Sequence, residues 1–525
     1  MSDLLYELIS NQATLTPEAD ALHFKNLTLS YEELDTRIQS FAHGLLTLDL
    51  KPSERVAIYL PKQPETVLSL FGASCAGGVF VPVNPLLKPK QVAYILKNCN
   101  VRVLITSSQR LKFLLDELPS CHDLNTVIVI EESAPDLEHS IGATIISWNQ
   151  LTEGSCSKRR NQIDADMAAI LYTSGSTGNP KGVVLSHKNI VTGAKSVASY
   201  LNNTADDRLL AVLPFSFDYG LSQLTTAFSV GASVVLMDYL LPRDILKTLI
   251  HYKITGLAGV PPIWNQLVQL DWPTDIAQHL RYITNSGGAM PKPATNKLQE
   301  ILPNTDIYLM YGLTEAFRST YLPPDQVAIR PDSMGKAIPN AEILVVREDG
   351  SECAAGEPGE LVHRGSLVAM GYWNDPTKTE EHFKPTPTQE KGIPIPEISV
   401  WSGDQVKKDE EGYLYFISRK DEMIKTSGYR VSPTEVEEIV YELPEIKEAA
   451  AIGIPHNTLG QAILLIATMT NSELNEQNIK AHCTKELPNF MVPTAVEFLT
   501  DLPHNQNGKI DRKKLTEKYS NFFQE

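Results

Sequence analysis

Short apolar runs, each ended by a turn signal and set off by stretches with helical spacing, limit the fold most. Residues 56–60, 79–83, 101–106 and 126–130 are such runs, rich in valine and isoleucine. Runs of that length and composition form buried strands. Ahead of them, residues 31–46 place apolar side chains at helical spacing behind Ser30, a residue suited to capping a helix. Residues 209–213, 232–237, 281–285 and 307–311 continue the series of strands, and Val260-Pro261-Pro262 ends another run, because proline extends neither a helix interior nor a central strand. Strands alternating with helices predict an α/β fold of βαβ units and a largely parallel sheet. Ligands of such sheets bind beyond the carboxyl ends of the strands, so the exits at 171, 214, 286 and 311 are expected to line one crevice.

The pattern changes after residue 332. Short strands at 342–347, 359–364 and 413–417 predict a small β-rich subdomain, and the four prolines within 384–397 an irregular exposed loop. Residues 131–161 show little periodicity and are expected to form a surface excursion. Beyond Arg419, a helix from Ser432 to about residue 443 and strands at 449–454, 462–469 and 495–499 predict a separate α+β unit. Two domains result, 1–419 and 420–525, joined at 419–421. At 525 residues the chain is too long for one core.

The formal charge of −17 argues against nucleic acid or an anionic membrane as a partner. The six cysteines at 75, 99, 121, 156, 353 and 483 follow no metal-binding spacing and fit reduced thiols in the cytoplasm. No signal peptide is evident. The uncharged run 66–87 is broken by Gly77, Gly78, Pro82 and Pro85, so it reads as a buried helix, a glycine turn and a strand rather than a membrane span.

Between two strand-like runs lies Thr173-Ser174-Gly175-Ser176-Thr177-Gly178-Asn179-Pro180-Lys181-Gly182. Glycines let backbone N–H groups crowd an anion, the hydroxyls add donors, and Lys181 adds a point charge. A polyphosphate suits such a loop. Asn179 and Pro180 separate the lysine from Gly178 and a strand follows, so this is not the Walker arrangement, in which glycine, lysine and a helix are consecutive. Tyr311-Gly312-Leu313-Thr314-Glu315 follows another strand. There Glu315 can hold Mg²⁺ together with phosphate oxygens, or Thr314 can cap a helix whose dipole Glu315 answers.

Taken in order, these motifs resemble the adenylate-forming superfamily of acyl-CoA ligases, luciferases and peptide-synthetase adenylation domains. The resemblance covers nearly the whole chain. It implies ATP and Mg²⁺ as cofactors. In that family Thr173, Ser174, Gly175, Ser176, Thr177, Gly178 and Lys181 would grip the β- and γ-phosphates. Gly287, Gly288 and Ala289 would flank the nucleotide, Tyr311 with Gly312 would face adenine, Thr314 would touch the α-phosphate, and Glu315 would bind the metal. Asp404 would take the ribose hydroxyls, with Arg419 and Arg430 on ribose or phosphates and Asp421 as the hinge of a mobile C-terminal domain. Lys509, in Asn507-Gly508-Lys509-Ile510, would be the catalytic lysine. Its ammonium would hold together two anions that must meet.

The substrate pocket implied by the resemblance comprises Phe217, Asp218, Tyr219, Ser222, Gly259, Thr284, Ser286, Met310, Arg318 and Ser319. In amino-acid-activating members an aspartate at the place of Asp218 pairs with the substrate ammonium, and a buried carboxylate needs such a cation; the alternative for Asp218 is a helix cap. The segments 215–224 and 311–319 are similar to those of free-standing prolyl–carrier-protein ligases. L-Proline, activated and passed to the phosphopantetheine of a stand-alone peptidyl carrier protein, is therefore the expected substrate. Arg318 departs from the small apolar residue usual there. An acyl-CoA ligase for a fatty or aryl acid and an inactive nucleotide-binding homologue are the alternatives.

Overall fold

The computed structural model describes residues 3–133, 135, 141–153, 160–173, 180–387, 392–419, 422–426, 429–456, 459–470, 474–487, 489–505 and 508–524. The alternating pattern produces two α/β sheets. The first runs, in spatial order, Thr144–Ser147, Thr126–Val129, Val101–Thr106, Arg55–Tyr59, Val79–Pro82, Met167–Thr173 and Lys181–Ser186. Every neighbouring pair is parallel except the last, an antiparallel hairpin. Two consecutive elements, Thr144–Ser147 and the helix Trp148–Thr152, correct the expectation of a featureless excursion over 131–161. The strand holds only two apolar residues, Ile145 and Ile146, yet Ser147 caps the helix that follows it.

The second sheet has a parallel core ordered Asp306–Tyr311, Tyr282–Asn285, Gly256–Gly259, Arg208–Ala211, Ser233–Leu236 and Asp20–Phe24. Its hydrogen bonding continues without a break through Thr320–Leu322 into Ser333–Ala337, Leu414–Arg419, Ile398–Lys408, Gly359–Gly365 and Ala341–Val346, all antiparallel. The β-rich segment is thus an extension of the large sheet, although Val345, Leu361, Val406 and Leu414 give it a core of its own. The exits after Ala211, Asn285 and Tyr311 belong to one sheet, whereas the strand expected to end at 171 runs to Thr173 and belongs to the other. The crevice is therefore framed by both sheets.

Past Arg419 the chain enters a third sheet, built from Ile424–Thr426, Tyr429–Val431, Ile446–His456, Gly460–Met469 and Ala495–Phe498. Its two faces carry separate apolar clusters, one around Val436, Leu465 and Ile479 and one around Ile454, Leu464 and Leu515. Glu437 is buried in this unit, accepts from the Ala451 amide and takes both of its carboxylate oxygens to Arg512. Among the described residues no helix is long and apolar enough to cross a membrane.

The helix Asp218–Val230 positions the pocket, and all of residues 218–228 on it are buried. Gly220 is what lets it start so close to the preceding strand. A Cβ there would stand 1.9 Å from the Pro214 carbonyl oxygen. Gly220→Ala is expected to cost at least about 1–3 kcal/mol, read as a lower thermal unfolding midpoint; an unchanged midpoint contradicts this packing.

Candidate active site

The hairpin Met167–Thr173/Lys181–Ser186 brings Thr173 opposite Lys181. Its tip, with Ser174, Gly175, Ser176, Thr177 and Gly178, lies outside the described residues, as does Asp421. Lys181 Nζ sits 5.4 Å above the ring of Tyr372, whose hydroxyl donates to Glu315 Oε1 at 2.6 Å. The segment 369–373 straps this corner together. Ala369 N–H donates to the Glu315 carbonyl, Met370 N–H to the Val184 carbonyl, and Trp373 N–H to the Gly182 carbonyl. Lys181 and Glu315, 134 positions apart in the chain, thus meet across one tyrosine. Tyr372 was not among the sequence candidates; the Gly371-Tyr372-Trp373 run, where an uncharged stretch gives way to a charged one, is the signal that marks it.

The nucleotide-sized part of the crevice is bounded by the turn at Ser286–Ala289 and by Tyr311. Gly287 has φ +82°, and a Cβ on it would lie 3.5 Å from Lys509 Cε. Asn285 Nδ2 donates to the Gly288 carbonyl and holds the turn. Tyr311 donates its hydroxyl to Asp404, and Arg419 Nε donates to the other oxygen of the same carboxylate at 3.0 Å. Asp404 is buried and its N–H is fixed by Ser402 Oγ. Each carboxylate oxygen keeps a lone pair, so Asp404 can also accept from a diol. Burial, with Asp404 alongside, pushes the Tyr311 phenol far up, and Asp404 raises the Arg419 guanidinium in turn. Arg430 is placed on the strand Tyr429–Val431, but its side chain lies outside the described residues.

The acid pocket opens beside Thr314. Asp218 is the first residue of its helix and does not cap it, since the N-cap position is Phe217. Asp218 is 3% exposed and accepts from Thr314 Oγ1 at 3.4 Å. Burial raises its carboxyl above the usual range, while Arg318 and Lys509 pull it back. A cavity beyond it is lined by Tyr219, Ser222, Thr284, Met310 and Arg318. Ser286 holds Arg318 at one edge. Phe217 stands at the mouth, within reach of Gly287, and packs edge-on against Tyr219. Gly259 is not on the cavity wall; it makes room for Trp264, which a Cβ would approach to 2.6 Å.

Lys509 arrives from the third sheet on a tight turn. Asn505 N–H donates to the Lys509 carbonyl, Asn505 Oδ1 accepts from Lys509 N–H, and Gly508 has φ +77°. A Cβ on Gly508 would lie 3.8 Å from Val260, so the turn stands against the rim of the crevice. The Lys509 side chain keeps access to solvent while protein surrounds it; that desolvation lowers its pKa, as Arg419 does, against Asp218 and Asp404. His504 Nε2 lies 2.8 Å from Glu448 Oε1 and anchors the turn. That contact raises the histidine's pKa. Its stabilisation is therefore complete below the ordinary value of about 6.5 and is lost as pH rises through the raised one. His504→Ala is expected to remove a pH-dependent contribution of up to about 1 kcal/mol to thermal stability; a midpoint whose slope between pH 6 and 9 is unchanged by the substitution contradicts this.

The residues fit ATP and magnesium. Lys181 stands over Tyr372, whose hydroxyl meets Glu315, and no group of three acidic, histidine or cysteine ligands occurs among the described residues. A divalent ion there would draw most of its ligands from phosphates and water, as magnesium does.

A family model described as AMP-binding enzyme matches residues 9–373, and one described as AMP-binding enzyme C-terminal domain matches 435–509. L-Proline--[L-prolyl-carrier protein] ligase of Streptomyces coelicolor is 31% identical over 93% of this chain and 91% of its own. Gramicidin S synthase 2 of Brevibacillus brevis is 29% identical over 97% of this chain, which spans only 11% of that protein's length. Among solved structures, the anthranilate CoA ligase AuaEII in complex with anthranoyl-AMP superposes with a TM-score of 0.87 at 25% identity, covering 99% of both chains.

Proposed function

The chain belongs to the AMP-binding enzyme family, and we propose that it activates an amino acid with ATP and transfers it to the thiol of a phosphopantetheine arm on a carrier protein. The observation that carries this reading is Asp218. It is a buried carboxylate at the pocket mouth, close to Lys509, with no ion pair of its own among the described residues. A substrate ammonium satisfies it. A fatty acid brings no such cation.

In the first step a carboxylate oxygen of the substrate bonds to the α-phosphorus of ATP. The bond from that phosphorus to the bridging oxygen breaks, giving aminoacyl-AMP and pyrophosphate. Lys509 counters the charge that builds up where the two anions meet. Asp404 and Tyr311 hold the ribose and base, and Gly287 leaves the space through which Lys509 reaches the phosphate. Lys181 and the hydroxyls of the 173–178 loop hold the β- and γ-phosphates. A magnesium ion on Glu315 would neutralise charge on the departing pyrophosphate.

In the second step the thiol sulfur attacks the acyl carbon, AMP leaves, and the thiol proton passes to solvent. Lys509 occupies the path to the adenylate in the closed arrangement, so residues 420–525 must swing away from 1–419, with Asp421 as the pivot. The likeness to the prolyl ligase supports proline as the amino acid, and Arg318 stands against it because proline has nothing to offer a guanidinium. The test is amino-acid-dependent exchange of pyrophosphate into ATP. Exchange with amino acids and not with fatty or aryl acids is expected; the reverse refutes the role given to Asp218, and release of ADP instead of AMP refutes the reaction.

A further inference from the structure

Among the described residues Arg318 is the largest charged side chain sealed from solvent, 1% exposed. Its Nη1 donates to Ser286 Oγ at 3.1 Å, and its guanidinium carbon lies 4.7 Å from the centre of the Tyr219 ring. Its Nε and Nη2 have no hydrogen-bond partner among the described residues. These two are the adjacent donors along one edge of the fork, the edge that binds a carboxylate through two parallel hydrogen bonds. Arg318 forms no ion pair among the described residues, and Asp218, the carboxylate whose charge it feels, does not bond to it. A buried guanidinium with two idle donors is costly. The cavity it lines, with Tyr219, Ser222, Thr284 and Met310, lies on the helix that begins at Asp218.

We propose that Arg318 is a specificity-determining residue that receives a second carboxylate of the substrate, so that the preferred amino acid is acidic, of the aspartate or glutamate type, and not proline. This rests on the amino-acid-activating reading. The two idle charges then have separate partners: Asp218 takes the substrate ammonium, Arg318 takes the side-chain carboxylate, and the remaining carboxylate faces Lys509. Ser222 and Thr284 offer hydroxyls along the pocket wall.

The test is pyrophosphate exchange with L-aspartate, L-glutamate, L-asparagine, L-glutamine, L-proline, succinate and glutarate. One acidic amino acid is expected to exceed its amide in kcat/KM by on the order of a hundredfold or more. If proline or an amide exceeds both acidic amino acids, the proposal falls while amino acid activation stands. If succinate or glutarate exceeds every amino acid, the role of Arg318 stands and the ammonium pairing at Asp218 falls. Exchange with none of the seven counts against the proposal. Arg318→Leu is expected to raise KM for the acidic substrate on the order of a hundredfold while ATP affinity by titration stays within about twofold, and Arg318→Lys, which keeps the charge but not the fork, should retain part of the binding. The thermal shift given by the acidic amino acid should vanish in Arg318→Leu. Equal losses for acidic and neutral substrates, together with lost ATP affinity, would make Arg318 a packing residue and overturn the proposal.

Discussion

Lys509→Ala is expected to lower amino-acid-dependent pyrophosphate exchange by on the order of a hundredfold or more, about 3 kcal/mol of transition-state stabilisation. It should leave thiol transfer from supplied aminoacyl-AMP intact. The split follows from geometry. The lysine comes from the third sheet on the Asn505–Ile510 turn and meets the rim at Val260 and Gly287. It can therefore serve one half-reaction and be carried off for the other. Loss of both halves would mean that Lys509 holds the fold or the nucleotide instead. Because protein around the ammonium lowers its pKa, exchange should also decline at alkaline pH, below the ordinary lysine value of about 10.4. A rate that is flat up to that value contradicts the lowering of the lysine's pKa by the protein around it.

Asp218→Asn is expected to have two opposed effects. The amino acid KM should rise by about 30-fold or more, the loss that follows when one member of a buried charge pair is neutralised. Thermal stability of the free enzyme should increase near neutral pH. The second effect follows from the direction of the pKa shift. Burial raises the Asp218 carboxyl, so the folded chain favours the protonated form more than the unfolded chain does. Ionised at neutral pH, Asp218 costs stability; that cost is absent below the unfolded value and grows as pH rises through it. An amide of the same shape removes the charge. If KM is unchanged, the ammonium pairing is wrong. If stability falls, Asp218 is satisfied in the free enzyme and is not waiting for a substrate.

The sequence exposed the parts of the site held by local chemistry. The hydroxyl-rich loop before Lys181 is legible because an anion requires those residue types; Asp404 after Gly403 and Lys509 after Gly508 read locally as turn residues, and their expected roles came from the resemblance. The strands were legible wherever apolar runs reached five or six residues. Thr144–Ser147 escaped because its apolar run is only Ile145 and Ile146. The seamless join of the β-rich segment to the large sheet escaped because hydrogen bonding between Thr320–Leu322 and Ser333–Ala337 leaves no mark in composition. Tyr372 escaped for a different reason, and Arg318 was placed at the pocket without its unpaired edge being visible. Their roles depend on what lies against them, Glu315 and Lys181 in one case and an unpaired edge in the other. Proximity across a hundred residues or more is a property of the folded chain.

The central claim is that the α-phosphorus of ATP and a substrate carboxylate meet between Asp218, Thr314 and Lys509. The most direct measurement is a crystal structure of the chain with ATP, magnesium and the amino acid that drives exchange, obtained with Lys509→Ala to halt the reaction. The account predicts the triphosphate against residues 173–181, the ribose on Asp404, and the substrate ammonium on Asp218. A triphosphate bound away from the 173–181 hairpin, or a substrate whose ammonium avoids Asp218, would contradict it.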